Sequence, residues 1–182
     1  MQLGTWLRDK NRKAVLSAFD WLQTLIFALV TITLLLAFVL RVVGVVGDSM
    51  LPTLTSGDRL LLSCLSDSYA QGDIVVIDRY TDEPLIKRVV AIAGDTVMIT
   101  SDYALLVNGI PQKEPYVMGA TIPRDMTGPV TVPAGCVFVL GDNRLVSKDS
   151  RQREIGMVNT KDIVGRVVYR LWPLGAAGNV NE

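Results

Sequence analysis

The sequence predicts a mainly β protein: a domain of antiparallel β-sheet preceded by one N-terminal transmembrane helix. Three observations carry this expectation. Residues 21–40, WLQTLIFALVTITLLLAFVL, hold no charge. From residue 42 onward, short apolar runs rich in Val, Ile and Leu recur. Between them stand the turn signals SGD, QGD, AGD, NGIP, PAG and GDN, which favour hairpins over helices.

The apolar segment comes first. Twenty residues at about 1.5 Å each span roughly 30 Å, the thickness of a hydrocarbon core. Trp21 marks one end, and within residues 1–20 the cations Arg8, Lys10, Arg12 and Lys13 outnumber Asp9 and Asp20. The positive-inside rule then keeps the N-terminus cytoplasmic and delivers the remainder outside. A core helix of a soluble protein seldom runs this long without a polar face. A cleavable secretory signal has small or β-branched residues available at 45–47, VVG, but its apolar region usually stops at about 7–15 residues. The expected organisation is a cytoplasmic segment at 1–20, a retained signal anchor at 21–41 and an extracytoplasmic β-rich domain at 42–182.

Strands are expected at 58–64, 73–78, 85–93, 96–100, 104–107, 130–132, 136–140 and 163–172, each an apolar or alternating run bounded by turn residues. Many short strands with Gly and Asp turns argue for antiparallel sheets. The tail from 174 is small and polar, with no second apolar span, so one anchor is expected.

Composition closes several routes. The 182 residues include no histidine, which removes a Ser-His-Asp triad, a Cys-His protease and a His-ligated zinc site. Eighteen basic residues balance eighteen acidic ones, so no global field favours nucleic acid. Cys64 and Cys136 lack CxxC spacing; each sits among apolar residues as a buried thiol would, although a disulfide outside the cytoplasm stays open.

The segment VVGDSMLPTL, 45–54, places Ser49 in a turn just after the anchor, and a serine nucleophile here needs a base other than histidine. Lysine near its ordinary pKa of about 10.4 is protonated at neutral pH, but burial among apolar groups can lower that value by several units. LIKRVVAIAG, 85–94, supplies a lysine inside an apolar strand. Alternation sets Lys87 with Leu85, Val89 and Ala91, and Arg88 with Ile86 and Val90. Alone, Lys87 reads rather as an edge-strand lysine that discourages aggregation, and Ser49 as an ordinary turn residue. A third segment, GDNRLVSKDSR at 141–151, forms a charged loop after the strand CVFVL. There Ser147 is placed to hydrogen-bond Lys87, and Asp149 and Arg151 to pair with each other or with Arg88. A solvated charged loop fits the spacing just as well.

Taken together, VVGDSMLPTL, GDIVVIDR, LIKRVVAIAGD, LLVNGIPQKEPYV and GDNRLVSKDSR, in this order behind an anchor, resemble the type I signal peptidases, membrane-bound serine proteases that remove signal peptides from exported proteins. The resemblance runs from the anchor through VVYRLWP at 167–173. It implies two antiparallel sheets with the active site near the membrane surface, Ser49 as acylating nucleophile and Lys87 as general base. It further implies Met50 shaping the site, Ser147 orienting the lysine, Asp149 and Arg151 as a supporting pair, and Gly141, Asp142 and Asn143 opening a loop near the lysine. Gly47 stands where some relatives carry a serine that donates to the oxyanion hole, so the Ser49 backbone N–H is expected to lead there. IGMV at 155–158 departs from a Gly-Pro-Val-Pro type segment, and the connection at 117–135 is too short for the large β insertion of some Gram-negative enzymes.

The implied reaction needs no metal or organic cofactor. Its implied partners are the signal peptides of secreted preproteins, the lipid bilayer and the protein-export machinery, with no nucleic acid. Two other classes remain to be weighed. A self-cleaving repressor with a Ser-Lys pair would carry a DNA-binding region in place of the anchor. A non-enzymatic, membrane-anchored β domain that binds or scaffolds would keep its function without Ser49 or Lys87.

Overall fold

A computed structural model describes residues 3–65, 68–81 and 83–180. The side chains of residues 3–16, including Arg8, Lys10, Arg12 and Lys13, and that of residue 35 lie outside the described ones. The first element is a helix, α1, Leu3–Val39. Within it Ser17–Val39, 23 residues with a mean hydropathy of 2.4, is long and apolar enough to cross a membrane. Its threonines do not oppose that, because Thr24, Thr31 and Thr33 each donate to the carbonyl four residues back, at 2.8 Å. A hydroxyl satisfied within its own helix needs no water.

The chain divides into two compact units at Val39/Leu40. In the second, eleven strands follow in order among the described residues: β1 Leu40–Gly44, β2 Arg59–Ser63, β3 Ile74–Ile77, β4 Leu85–Ile92, β5 Thr96–Ile99, β6 Leu105–Val107, β7 Ile110–Pro111, β8 Val130–Thr131, β9 Cys136–Leu140, β10 Val158–Asn159 and β11 Ile163–Trp172. They form a seven-stranded sheet, β1-β2-β11-β3-β4-β9-β10, and a four-stranded sheet, β7-β6-β5-β8. Every strand pairing within them is antiparallel. The mainly β architecture behind one apolar helix is as the sequence predicts.

Three strands escape the sequence pattern. β1 continues the apolar run of the helix, so composition gives no break where Leu40 begins to pair with Ser63. The segment expected to remain anchor to residue 41 is therefore already sheet at Leu40 and Arg41. β7 and β10 are two residues long, below what periodicity resolves. The turn before β7 is nevertheless legible, since Asn108 and Gly109 take φ of 53° and 76°, the left-handed pair of a two-residue hairpin.

Three apolar clusters fill the domain. One lies among β2, β3 and β11 and takes in Met50 and Leu54 from the turn after β1. A second gathers Val75, Val89, Val139 and Val158. The third joins the two sheets, setting Phe138 and Leu140 of β9 against Val97, Leu105 and Val107 of β5 and β6. β4 lies centrally between β3 and β9 and is buried on both faces from Ile86 to Ala91. Its register against β9 shifts between Val89 and Ala91. That irregularity, a local insertion in the ladder, brings Val90 and Ala91 into the same cluster. Strict alternation had set Ala91 with Val89 and Lys87, and the bulge overturns that placement.

Phe138 is fully buried where the sheets meet. Phe138→Ala is expected to cost about 3–5 kcal/mol, read as a lower midpoint in thermal unfolding of the detergent-solubilised chain. An unchanged midpoint would mean that the two sheets do not depend on this contact.

Candidate active site

The turn carrying Ser49 is fixed at both ends. After β1, Val45 N–H donates to the Asp58 carbonyl at 2.8 Å and Gly57 N–H returns to the Val45 carbonyl at 2.9 Å. The buried Asp58 carboxylate also accepts from Thr55 N–H and from Arg170, both at 3.1 Å. Within the turn, Met50 and Leu54 are 1% and 0% exposed and plug into the core. Leu54 N–H donates to the Met50 carbonyl at 2.9 Å. Apolar anchoring on one side leaves Ser49 half-buried on the other. Gly47, with φ of 84°, takes the left-handed turn that a side chain would strain.

Lys87, from the centre of β4, is 2% exposed, and its Nζ lies 2.9 Å from Ser49 Oγ and 2.8 Å from the Ile86 carbonyl oxygen. Burial in the sheet pulls the amine down to about 8 from the ordinary 10.5, while the nearby carboxylates of Asp149 and Asp142 pull the other way. Desolvation penalises the charged form, and here it outweighs the attraction. The neighbouring Arg88, 4% exposed, meets Asp142 in a fork, Nε to Oδ1 at 2.9 Å and Nη2 to Oδ2 at 2.7 Å. It also donates to the Gly72 carbonyl at 2.9 Å and lies over the Tyr116 ring, 4.0 Å from its centre.

The loop after β9 closes over both residues. Gly141 allows this approach, because a Cβ there would fall against the Ser147 hydroxyl and 2.5 Å from the Ser49 carbonyl oxygen. Asn143 clamps the serine turn twice, its backbone N–H donating to the Ser49 carbonyl at 3.0 Å and its Nδ2 to the Asp48 carbonyl at 3.2 Å. Thr53 completes the contact by donating to Asp142. Asp149 and Arg151, 0% and 1% exposed, pair with each other through Nε–Oδ1 and Nη2–Oδ2 bonds of 2.8 Å. Asp149 also accepts from Gly141 N–H at 3.2 Å. Of the two pairings open in the sequence, the structure takes Asp149–Arg151, and Asp142 holds Arg88.

Ser147 lies beside this constellation without joining it. Its hydroxyl is buried and makes no hydrogen bond among the described residues. The expected Ser147–Lys87 bond is absent here because the amine is directed to Ser49 and the Ile86 carbonyl instead.

Sequence reasoning passed over two supports. Arg144 is fully buried and meets Glu114 in a second fork, donates to Thr121 at 2.6 Å and reaches the Gly141 carbonyl at 3.1 Å. Tyr116, held under Arg88, has its hydroxyl raised to about 12 by burial. Glu114 and Tyr116 belong to the quoted KEPYV segment, but their partners lie about thirty residues away on either side, beyond any local spacing signal. Cys64 and Cys136 are both free and only half-buried, so they are thiols with more solvent contact than the sequence suggests. Around Ser49 and Lys87 opens a cleft of about 450 Å³ lined by Val46, Gly47, Leu51, Leu85, Asn143 and Lys148 among others.

Comparison with known proteins gives the arrangement a context. Residues 18–172 match the family model described as "Signal peptidase, peptidase S26". A signal peptidase I of Bacillus caldolyticus is 38% identical over 161 residues, covering 80% of this chain and 87% of its own length. One from Bacillus licheniformis is 35% identical over 180 residues, with 91% and 94% covered. Signal peptidase IB of Staphylococcus aureus is 32% identical over 173 residues, with 85% and 89% covered. A crystal structure of a signal peptidase I from Enterococcus faecalis, 27% identical, matches 54% of this chain and 96% of its own with a TM-score of 0.46, too low to bear on shape.

Two stability measurements check this geometry. Gly141→Ala forces the serine turn and the loop apart, so a loss of about 1–3 kcal/mol is expected; an unchanged unfolding midpoint would mean the backbones have room to spare. Lys87→Met removes a buried amine. Its folded value lies below its unfolded one, so the unfolded chain binds more protons between about pH 8 and 10.5. Stability therefore rises with pH across that window, and below it the full cost of the charged amine is present. At pH 7 the methionine variant is expected to be more stable by about 1–3 kcal/mol, and a lowered midpoint would contradict burial as the dominant effect.

Proposed function

The chain belongs to the signal peptidase, peptidase S26, family, and from that premise we propose that it is a membrane-anchored peptidase whose Ser49–Lys87 dyad cleaves signal peptides from exported preproteins. The observation that carries the dyad is the buried Lys87 amine, hydrogen-bonded to Ser49 Oγ at 2.9 Å in a chain with no histidine.

With its value near 8, Lys87 is neutral in about a tenth of molecules at pH 7. Neutral, its lone pair accepts the Ser49 hydroxyl proton as Oγ attacks the carbonyl at the end of the signal peptide. The oxyanion that forms meets the Ser49 backbone N–H, which makes no hydrogen bond among the described residues. One such donor is worth about 2.7–4 kcal/mol in related chemistry. The Lys87 ammonium then returns its proton to the leaving amine, releasing the mature protein's N-terminus and leaving the signal peptide as an ester on Ser49. Water, deprotonated by the again neutral amine, hydrolyses that ester and regenerates the serine.

β1 is an edge strand, and the segment from it to Ser49 faces the 84–88 stretch across the cleft. An extended substrate laid there places alternate side chains in pockets on the same side. α1, with its N-terminus on the cytoplasmic side, keeps the catalytic domain outside and tethers it to the bilayer that also holds the uncleaved signal. Confinement of both to one membrane, where the export machinery delivers preproteins, raises their effective concentration. Gly141, Asp142, Asn143, Asp149 and Arg151 position the loop over the dyad; Arg88 does so through Asp142.

The test is cleavage of a preprotein by the detergent-solubilised full chain across pH 5.5–10, beside Ser49→Ala and Lys87→Met with folds checked by circular dichroism. Because the reactive form of Lys87 is the deprotonated one, kcat/KM is expected to climb about tenfold per unit below pH 8 and to level above it. Both variants are expected to lose cleavage while staying folded. An active Lys87→Met, or a rate that falls as pH rises toward 8, would remove the lysine from the mechanism.

A further inference from the structure

The segment 114–118 lies against the loop that closes over the dyad and touches two of the arginines beside it. Met118 N–H donates to the Asp142 carbonyl at 2.8 Å, and Arg144 N–H to the Met118 carbonyl at 2.9 Å. These bonds pair Met118 with Asn143 in a parallel bridge. Glu114 takes the fork of Arg144. Tyr116 sets its ring over the Arg88 guanidinium, whose central carbon lies 4.0 Å from the ring centre.

The guanidinium is engaged edge-on by its other partners. Nε and Nη2 donate to Asp142, and Nη1 to the Gly72 carbonyl. What remains is the flat face, the part of an arginine that stacks on an aromatic ring. The tyrosine hydroxyl adds little to this. It donates to Glu114 Oε1 at 3.3 Å, an oxygen that Arg144 already occupies. Burial raises it to about 12, so Tyr116 stays neutral wherever cleavage would be measured.

Asp142 connects Arg88 to the dyad. It is 0% exposed, held by Thr53 and by the Met118 pairing, and it pulls the proton affinity of Lys87 upward. An Arg88 free to move off would leave Asp142 in place with less of its charge matched, and Lys87 would keep its proton more firmly. Water admitted at Tyr116 reaches the arginine and not the amine, because neighbours in a regular strand leave it on opposite faces. Nor does that water screen a buried carboxylate much. The other charged groups around Lys87 are Asp149 with its partner Arg151, and Asp48 and Lys148 in the cleft lining. The strands on either side, β3 and β9, bring no charged side chain.

We propose that the aromatic face of Tyr116 is a positioning element for the Ser49–Lys87 dyad, holding the Arg88 guanidinium against Asp142 so that this carboxylate acts on the lysine as half of a pair and not as a bare charge. This rests on the peptidase reading of the dyad.

The experiment follows preprotein cleavage by the detergent-solubilised full chain over a pH series. The parent is compared with Ser49→Ala, Tyr116→Phe, Tyr116→Leu and a chain carrying a trifluorinated phenylalanine at the same position. Fluorine draws electron density from the face of a ring that keeps its shape. That variant removes the attraction and retains the packing, so it decides the matter even where Tyr116→Leu does not fold. No cleavage by the parent, or cleavage by Ser49→Ala, ends the peptidase reading and this proposal with it. With cleavage running through Ser49, Tyr116→Phe is expected to keep the parent's rising limb of kcat/KM. The fluorinated and leucine variants are expected to move that limb up by about half to one pH unit, a loss of about threefold to tenfold at pH 7 that vanishes on the alkaline side. A limb that stays in place or moves down in the fluorinated variant overturns the proposal and leaves the dyad standing. A loss equal at every pH overturns it too, since that is the mark of a purely structural role. So does a limb that Tyr116→Phe moves as far as the fluorinated ring does, which would assign the effect to the hydroxyl.

Discussion

The domain depends on keeping water from one amine. A lysine in water holds its proton at neutral pH, and a serine hydroxyl beside it gains nothing from the contact. Lys87 is different because it leaves the middle of β4, a strand buried on both faces between β3 and β9. The aliphatic side chains of those three strands are the solvent it meets, and they favour its neutral form. An edge strand could not do this, since its lysine would swing outward to water. The central position of β4, set by the whole sheet order, is thus what converts an ordinary lysine into a group able to take a proton.

A second constraint follows from the first. Asp142 and Asp149 are both buried near Lys87, and each pulls its proton affinity upward. Two bare carboxylates there would hold the amine in its charged form. Each is instead faced by an arginine in a two-pronged contact, Arg88 on Asp142 and Arg151 on Asp149. A carboxylate matched by a guanidinium acts at a distance as a dipole, and its field falls off faster than that of a charge. The arginines also tie the 141–151 loop to β4 and to itself, so the groups that fix the loop's shape moderate its electrostatics. Arg144 and Glu114 add a third fork that binds the segment before β8 to the same loop.

Close approach of backbones is the third element. The serine turn and the loop meet at Gly141, where no side chain fits, and Asn143 holds the Ser49 and Asp48 carbonyls across that gap. With both carbonyls engaged by Asn143, the serine turn is held in one orientation against the loop. Met50 and Leu54 enforce the same orientation from below by burying their side chains in the core.

Much of this was legible in the chain of letters. The apolar run of α1, the turn dipeptides and the β-rich runs reveal a mostly antiparallel β domain behind one hydrophobic helix, because hydropathy and turn chemistry are local properties. The absence of histidine and a lysine set among Leu, Ile and Val point to Ser49 and Lys87 for the same reason. Local pattern could not say which carboxylate meets which arginine, because Asp142 and Arg88 are brought together only by the β4–β9 pairing. Nor could it place Ala91, whose face is decided by a bulge, or find Glu114 and Tyr116, whose partners are thirty residues distant. Ser147, which the family resemblance sets against the lysine, is buried without a bond among the described residues, since that contact depends on ångström-scale packing. Residue type and order alone determined the kinds of group available for the chemistry, whereas burial and distance, which set the proton affinity of Lys87 and its reach to Ser49, were decided only when the sheet closed around them.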